Sequence, residues 1–348
     1  MARGSRHCAS PYREVRPALT RSPTLAVSQE AWPELPWREW GATLSTLHMW
    51  VQIVGKVRLA LAPPQAHWWH IPLYLSARGL TTSPIPYGQR HFEVDFDFVD
   101  HQLHATDSDG RSFTMPLESK SVARFYREFM DELRGLGIVV RISTRPVEVV
   151  ESIPFETDEQ HASYDARQAG LLWRAMLQAD RVMKVFQSGF VGKASPVHLF
   201  WGGFDLATAR YSGRMAPLHP GGIPNSPDWV MQEAASREES NCGWWPLSDE
   251  PGPSFFSYTY PEPDGFRSAT VRPAEAFFDE RFRDFVLPYD AVRGLADPDA
   301  AVLEFFESTY EAGADLGGWD RLALEPAVRP DRPPRRAWST APDPVDKS

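Results

Sequence analysis

The stretch His198-Leu199-Phe200-Trp201-Gly202-Gly203-Phe204-Asp205-Leu206-Ala207-Thr208-Ala209-Arg210-Tyr211 combines apolar bulk with an imidazole, a carboxylate and a guanidinium. It reads as one long strand, or as two strands broken at Gly202-Gly203. Alternation along it places His198, Phe200, Phe204, Leu206, Thr208 and Arg210 on one face, and Trp201, Asp205 and Tyr211 on the other. A guanidinium on a mainly apolar face requires an acid or a bound anion. Glu238 or Glu239 supplies the acid in the first case, and a carboxylate or phosphate ligand in the second. Downstream, Trp244 or Trp245 either stacks on a planar ligand or fills the core.

A second polar group lies on a helix expected from about Arg38 to Leu61. Leu44, Leu47, Val51 and Val54 form its main apolar stripe, and Met49, Trp50, Ile53 and Val57 make the opposite side apolar too. A helix apolar on most sides is buried. Its narrow polar sector of Ser45, His48, Gln52 and Lys56 then faces a strip of solvent or an internal pocket. His67-Trp68-Trp69-His70, with Asp95 and Asp97, offers imidazole and carboxylate ligands for a divalent metal. On a strand, however, the odd spacing sends the two histidines to opposite faces, so no metal is assigned.

Standard signatures are missing. Phe190 to Ser195 faintly resembles a phosphate loop, but Gln187 stands where the first Gly belongs and Ala194 where Ser or Thr belongs. There is no Gly-x-Ser-x-Gly elbow, no His-Glu-x-x-His and no dinucleotide glycine fingerprint. The sequence points to no particular cofactor.

The elements that must position these residues follow from pattern. Residues 1–30 and 326–348 are Arg- and Pro-rich without period and read as disordered tails. Between them, 31–150 and 151–325 each run helix, antiparallel strands, helix. His67 to Ser76 and His91 to Val99 read as strands, the latter with Phe92, Val94, Phe96 and Phe98 on one face. Asp107-Ser108-Asp109-Gly110 is a hairpin turn. Ser119 caps a helix over 120–136, and Ile138 to Ile142 is one more strand. Helices are expected over 165–187 and 297–312, strands over 241–247, 255–260 and 282–287, and a long excursion over 212–240. A shift of 126 residues brings Gln52 onto Gln178, Leu73 onto Leu199, Leu80 onto Leu206 and Thr82 onto Thr208. The expectation is an α+β protein of two related halves about a pseudo-two-fold axis, with a ligand cleft between them.

The 348 residues carry a net charge of −10. Five Arg against Glu14 and Glu30 make the first tail positive, and the last is positive too, so the core is more acidic than the sum. An acidic core argues against nucleic acid. No apolar run is long enough to span a membrane, and Cys8 and Cys242 form no framework, so a cytoplasmic location is expected.

Thr46-Leu47-His48-Met49-Trp50, Arg78 to Gly88, Ser195-Pro196-Val197-His198 and Tyr260-Pro261-Glu262-Pro263 resemble a bacterial family catalogued as domain of unknown function 5996. The likeness covers about 31–325. It implies a soluble bacterial protein and transfers no reaction and no catalytic residues.

The site drawn from the residues themselves has His48 or His198 as general base and Asp205 or Glu238 as its partner or acid. Lys56, Arg78 and Arg210 hold a small anion, and Gln52, Trp201 and Trp244 complete the contacts. An enzyme requires these groups to converge in one concavity, as does a non-catalytic binder or sensor. A protein-interaction scaffold lets them scatter beside an exposed apolar patch.

Overall fold

The first helix, α1 (Trp37–Leu61), follows Pro36 and stops before Pro63-Pro64, whose rings cannot continue it. Its apolar residues on every side are buried, and so are His48, Gln52, Lys56 and Arg58. The chain is described here from a computed structural model over residues 31–246 and 252–325. The two tails expected to be disordered lie outside the described residues.

Beyond α1, His67 and Trp68 take left-handed backbone angles (φ 56° and 61°) in a single 3-10 turn. The strand expected from His67 is therefore a turn, and strand geometry begins only at β1 (Tyr74–Leu75). Then come β2 (Gly79–Thr81), β3 (Ile85–Tyr87), β4 (Arg90–Asp97), β5 (Gln102–Asp107) and β6 (Ser112–Pro116). They form an antiparallel sheet in the order β1-β2-β4-β5-β6, with β3 also on β4. The expected hairpin joins β5 to β6. There the Asp107 carboxylate accepts from the Asp109 and Arg111 N–H groups. Helix α2 (Val122–Gly135) is capped by Ser121 rather than Ser119, and it packs Phe129 on Phe113 of β6. The 138–142 segment pairs with no strand.

Helix α3 (Ala166–Ser188) is capped by Asp165. A second antiparallel sheet follows, from β7 (His198–Phe200), β8 (Asp205–Met215), a short α4 (Asp228–Ala234) on the excursion, β9 (Arg237–Trp245), β10 (Ser254–Tyr260), β11 (Phe277–Asp279) and β12 (Asp284–Pro288). Its order is β11-β12-β10-β9-β8-β7. After α5 (Tyr289–Arg293), helix α6 (Pro298–Leu316) is capped by Asp297 and has Pro at its first position. Helices α3 and α6 pack on each other and on one face of this sheet.

Both sheets carry a row of buried residues in register toward their helices. In the first it is Leu80, Phe96, Leu103 and Met115, and in the second Leu206, Trp244, Phe255 and Leu287. The sheets meet at a reciprocal bridge, in which Leu73 N–H donates to Leu199 O at 3.0 Å and Leu199 N–H donates to Leu73 O at 2.8 Å. Among the described residues no helix is long and apolar enough to cross a membrane.

Candidate functional site

Because α3 and α6 take one face of the second sheet, its other face is free to line a cavity. The β7–β8 register sets which residues face it. His198 pairs with Ala207, and Phe200 with Asp205, across a turn at 201–204 that contains Phe204 at φ 57°. The turn shifts the alternation by one residue. His198 therefore shares a face with Asp205, Ala207 and Tyr211, while Leu206, Thr208 and Arg210 go to the helices; this corrects the expected pairing of His198 with Arg210. Small residues make the room: Ala207, Ala209 and Gly243 lie at the middle of β8 and β9. A Cβ on Gly243 would stand 2.5 Å from the Phe256 ring.

The cavity has two adjoining lobes. One of about 580 Å³ is bordered by His48, Glu148, Asp205, Trp245, Phe282 and Asp284. The other, about 230 Å³, is bordered by Trp68, Trp69, His198, Tyr211, Glu239 and Asn241. Glu148, Asp205, Ile223, Phe256 and Tyr258 border both. The excursion supplies part of the wall through Ile223, Met231 and Ala234, and the 3-10 turn supplies His67 and the two tryptophans. Trp229 of α4 packs on Trp68, with ring centroids 5.4 Å apart.

Four carboxylates face this space. Glu148 sits on the connection between α2 and α3 with φ 58°, a left-handed angle that costs a non-glycine residue about 1–3 kcal/mol. Three contacts hold it there. The Gln52 side chain grips the preceding residue at both ends, accepting from Val147 N–H at 3.0 Å and donating to Val147 O at 2.9 Å. Glu148 N–H itself donates to Pro224 O at 2.8 Å. Gly202 and Gly203 make room for its carboxylate, since a Cβ on Gly202 would lie 2.0 Å from Glu148 Oε1. A Cβ on Gly203 would lie 2.8 Å from Asp205 Oδ1 and 3.1 Å from Glu148 Oε2, so the two acids flank one point.

Burial sets the proton affinities. Desolvation by the surrounding atoms pushes Glu148 up to about 7, although the residue keeps exposed surface. Asp205 rises to about 8 through burial, then through the charges of Glu148 and Asp284. Glu239 rises to about 8 by burial against the hydrogen bonds of Tyr211 and Tyr258, which favour its charge. Asp284 rises to about 7 by burial, then through Asp279 and Glu262. Among the described residues none of the four forms an ion pair with Lys, Arg or His. Two further polar atoms are buried without a partner: His198 Nδ1 and Asn241 Oδ1.

Some residues singled out from sequence meet here and others do not. Asp205 and His198 line the cavity. His48 borders the larger lobe, but its Nε2–H donates to Gly202 O at 2.8 Å, and burial lowers it to about 4. His198 is lowered to about 3 by burial, then by the Arg58 charge. Both rings are neutral near pH 7. Gln52 and His48 act from behind the wall, through Val147 and Gly202. Trp201 is buried, with its indole N–H donating to Ile71 O at 3.0 Å and its ring against Gly55. Trp244 lies in the core row, on the helix side.

The three expected anion-holding cations do not converge. Arg78 is paired at the surface with Asp97 and Asp100. Arg210 stacks on Phe186, 3.4 Å from its centroid, and pairs with Glu307 of α6 at 3.3 Å, not with Glu238 or Glu239. Lys56 lies over the Phe155 and Trp201 rings, and burial lowers it to about 8. Glu238 bonds Ser212 and Arg214 away from the cavity. Of the metal candidates, His67 bonds Ala234 O and Lys193, His70 accepts from Gln65 N–H, and Asp97 holds Arg78. Among the described residues no group of three His, Cys, Asp or Glu is arranged to hold a metal ion.

Sequence reasoning missed Glu148, Tyr258 and Asp284, and it gave Glu239 a different role. Alternation along β9, β10 and β12 carries the signal for the last three, once the helix-covered face is known. Chemically, Asp205 holds a proton to give at neutral pH, and Glu148 beside it is near its midpoint.

This curled antiparallel sheet with helices on one face and an acid-lined cavity on the other belongs to an α+β protein. The chain is a member of the family described as "Family of unknown function (DUF5996)", whose sequence model matches residues 32–326. No curated protein and no solved structure matches it.

Proposed function

We propose that the chain binds a small organic cation, an amine, in the cavity over its second sheet. One observation carries this reading: four carboxylates face a largely aromatic cavity without an ion-paired cation. A carboxylate withdrawn from water needs a proton or a positive partner. An ammonium group supplies that partner, and the surrounding rings favour cations as well. The sign is opposite to the small anion that the sequence suggested. Catalysis is the second reading, with Asp205 as acid and Glu148 exchanging its proton beside it.

The test is calorimetric titration with octylamine, octanol and octanoate, three ligands of one shape and different charge. Octylamine is expected to bind at least about tenfold more tightly than octanol, the scale of one charge-assisted contact. Octanoate is expected not to bind. Tighter octanoate binding, or no octylamine binding, sinks the reading.

The two halves are also read as related copies. Leu73 and Leu199, equivalent under the 126-residue shift, bridge each other reciprocally, and the two buried rows correspond strand for strand. Superposing 37–135 on 163–316 tests this. Rows that fail to coincide argue against duplication.

A further inference from the structure

The cavity presents charge at two places: Glu148 and Asp205, which border both lobes, and Glu239, which borders the smaller. In the larger lobe Glu148 and Asp205 flank one point beside Gly203. In the smaller, Glu239 stands on one face of β9 with Asn241, whose Oδ1 is buried without a partner. A primary ammonium has three N–H donors and no acceptor. Glu239 and Asn241, two acceptors on one face of β9, suit two of those donors. Glu239 is in register with Tyr211, six residues along β8 from Asp205. At strand rise the two acidic positions are about 20 Å apart along the backbone, before side chains lean inward. Phe256 and Ile223 border both lobes, beside Tyr258, and offer a phenyl ring and an alkyl side chain.

We propose that the cavity takes a linear diamine or polyamine, one ammonium at Glu239 and Asn241 and the other at Glu148 and Asp205, with the chain between them against Phe256 and Ile223. This inference rests on the amine reading above and specifies it.

The experiment compares diaminobutane, diaminooctane and diaminododecane with octylamine by calorimetry on the full chain. Diaminooctane is expected to bind at least about tenfold more tightly than octylamine, although its second charged end costs it apolar contact. Affinity is expected to rise with spacer length from diaminobutane. Glu239→Gln, which keeps the side chain's shape, is expected to bring diaminooctane down to the octylamine value. Glu238→Gln, whose side chain faces away, leaves it unchanged. Circular dichroism confirms that both variants are folded. If octylamine binds as tightly as every diamine, the two-ended ligand is overturned while the amine reading stands. If octylamine and the diamines all fail to bind, both fall.

Discussion

Both sheets withdraw carboxylates from water, and they treat them oppositely. In the first sheet Asp97 and Asp107 are each 5% exposed. Burial alone would raise them, but the Arg78 side chain and the N–H groups of Asp100 and Val99 hold Asp97 below its ordinary range. Backbone N–H groups of Arg111 and Asp109, with the Arg111 and Arg90 side chains, do the same for Asp107. Over the second sheet Glu148, Asp205, Glu239 and Asp284 have no such guanidinium and stand above theirs. Desolvation acts on both groups, although Glu148 keeps exposed surface, and partnership is what separates a structural acid from one left available to a ligand.

The comparison breaks most sharply at Asp107. Asp107→Ala takes from Arg90 its shorter ion pair, leaving Leu136 O and Asp109, and removes the acceptor of the β5–β6 turn. A lower urea midpoint is expected, because the turn's N–H groups lose their acceptor, and an unchanged midpoint would contradict it. Asp205→Asn should do the reverse, and only at high pH. The folded carboxyl titrates near 8 against an ordinary 3.8, so its contribution to stability is full below about pH 4 and is lost as pH rises toward 8. Relative to wild type, the variant is expected to gain about 1–2 kcal/mol at pH 9 and little at pH 4, after discounting for water in the cavity. Thermal melts at both pH values check this, and an equal shift at both would contradict it. The smallest effect is expected at Asp95, on the open face of the first sheet opposite His104. Asp95→Asn should stay within about 0.5 kcal/mol at either pH.

Much of the fold is legible in the sequence because it is local. The all-round apolar pattern of α1, the Asp-Ser-Asp-Gly hairpin and the proline after Asp297 each act within a few residues. Parity was lost where non-glycine residues adopt left-handed angles. His67 and Trp68 turn a tryptophan-rich run that otherwise reads as strand, and Phe204 closes the turn that reverses the faces of β7 and β8. That single reversal parted Arg210 from the cavity and set His198 beside Asp205. Glu148 had no period to mark it, since its place is fixed by contacts far along the chain.

The grip of Gln52 on Val147 sets the place of an acid from a distant part of the chain. The glutamine reads a backbone N–H and a backbone carbonyl, which every residue but proline offers. The side chain at 147 is not part of the contact. The instruction for where Glu148 stands is thus written in a helix almost a hundred positions earlier. A change at 52 would erase the address while leaving the acid itself in the text.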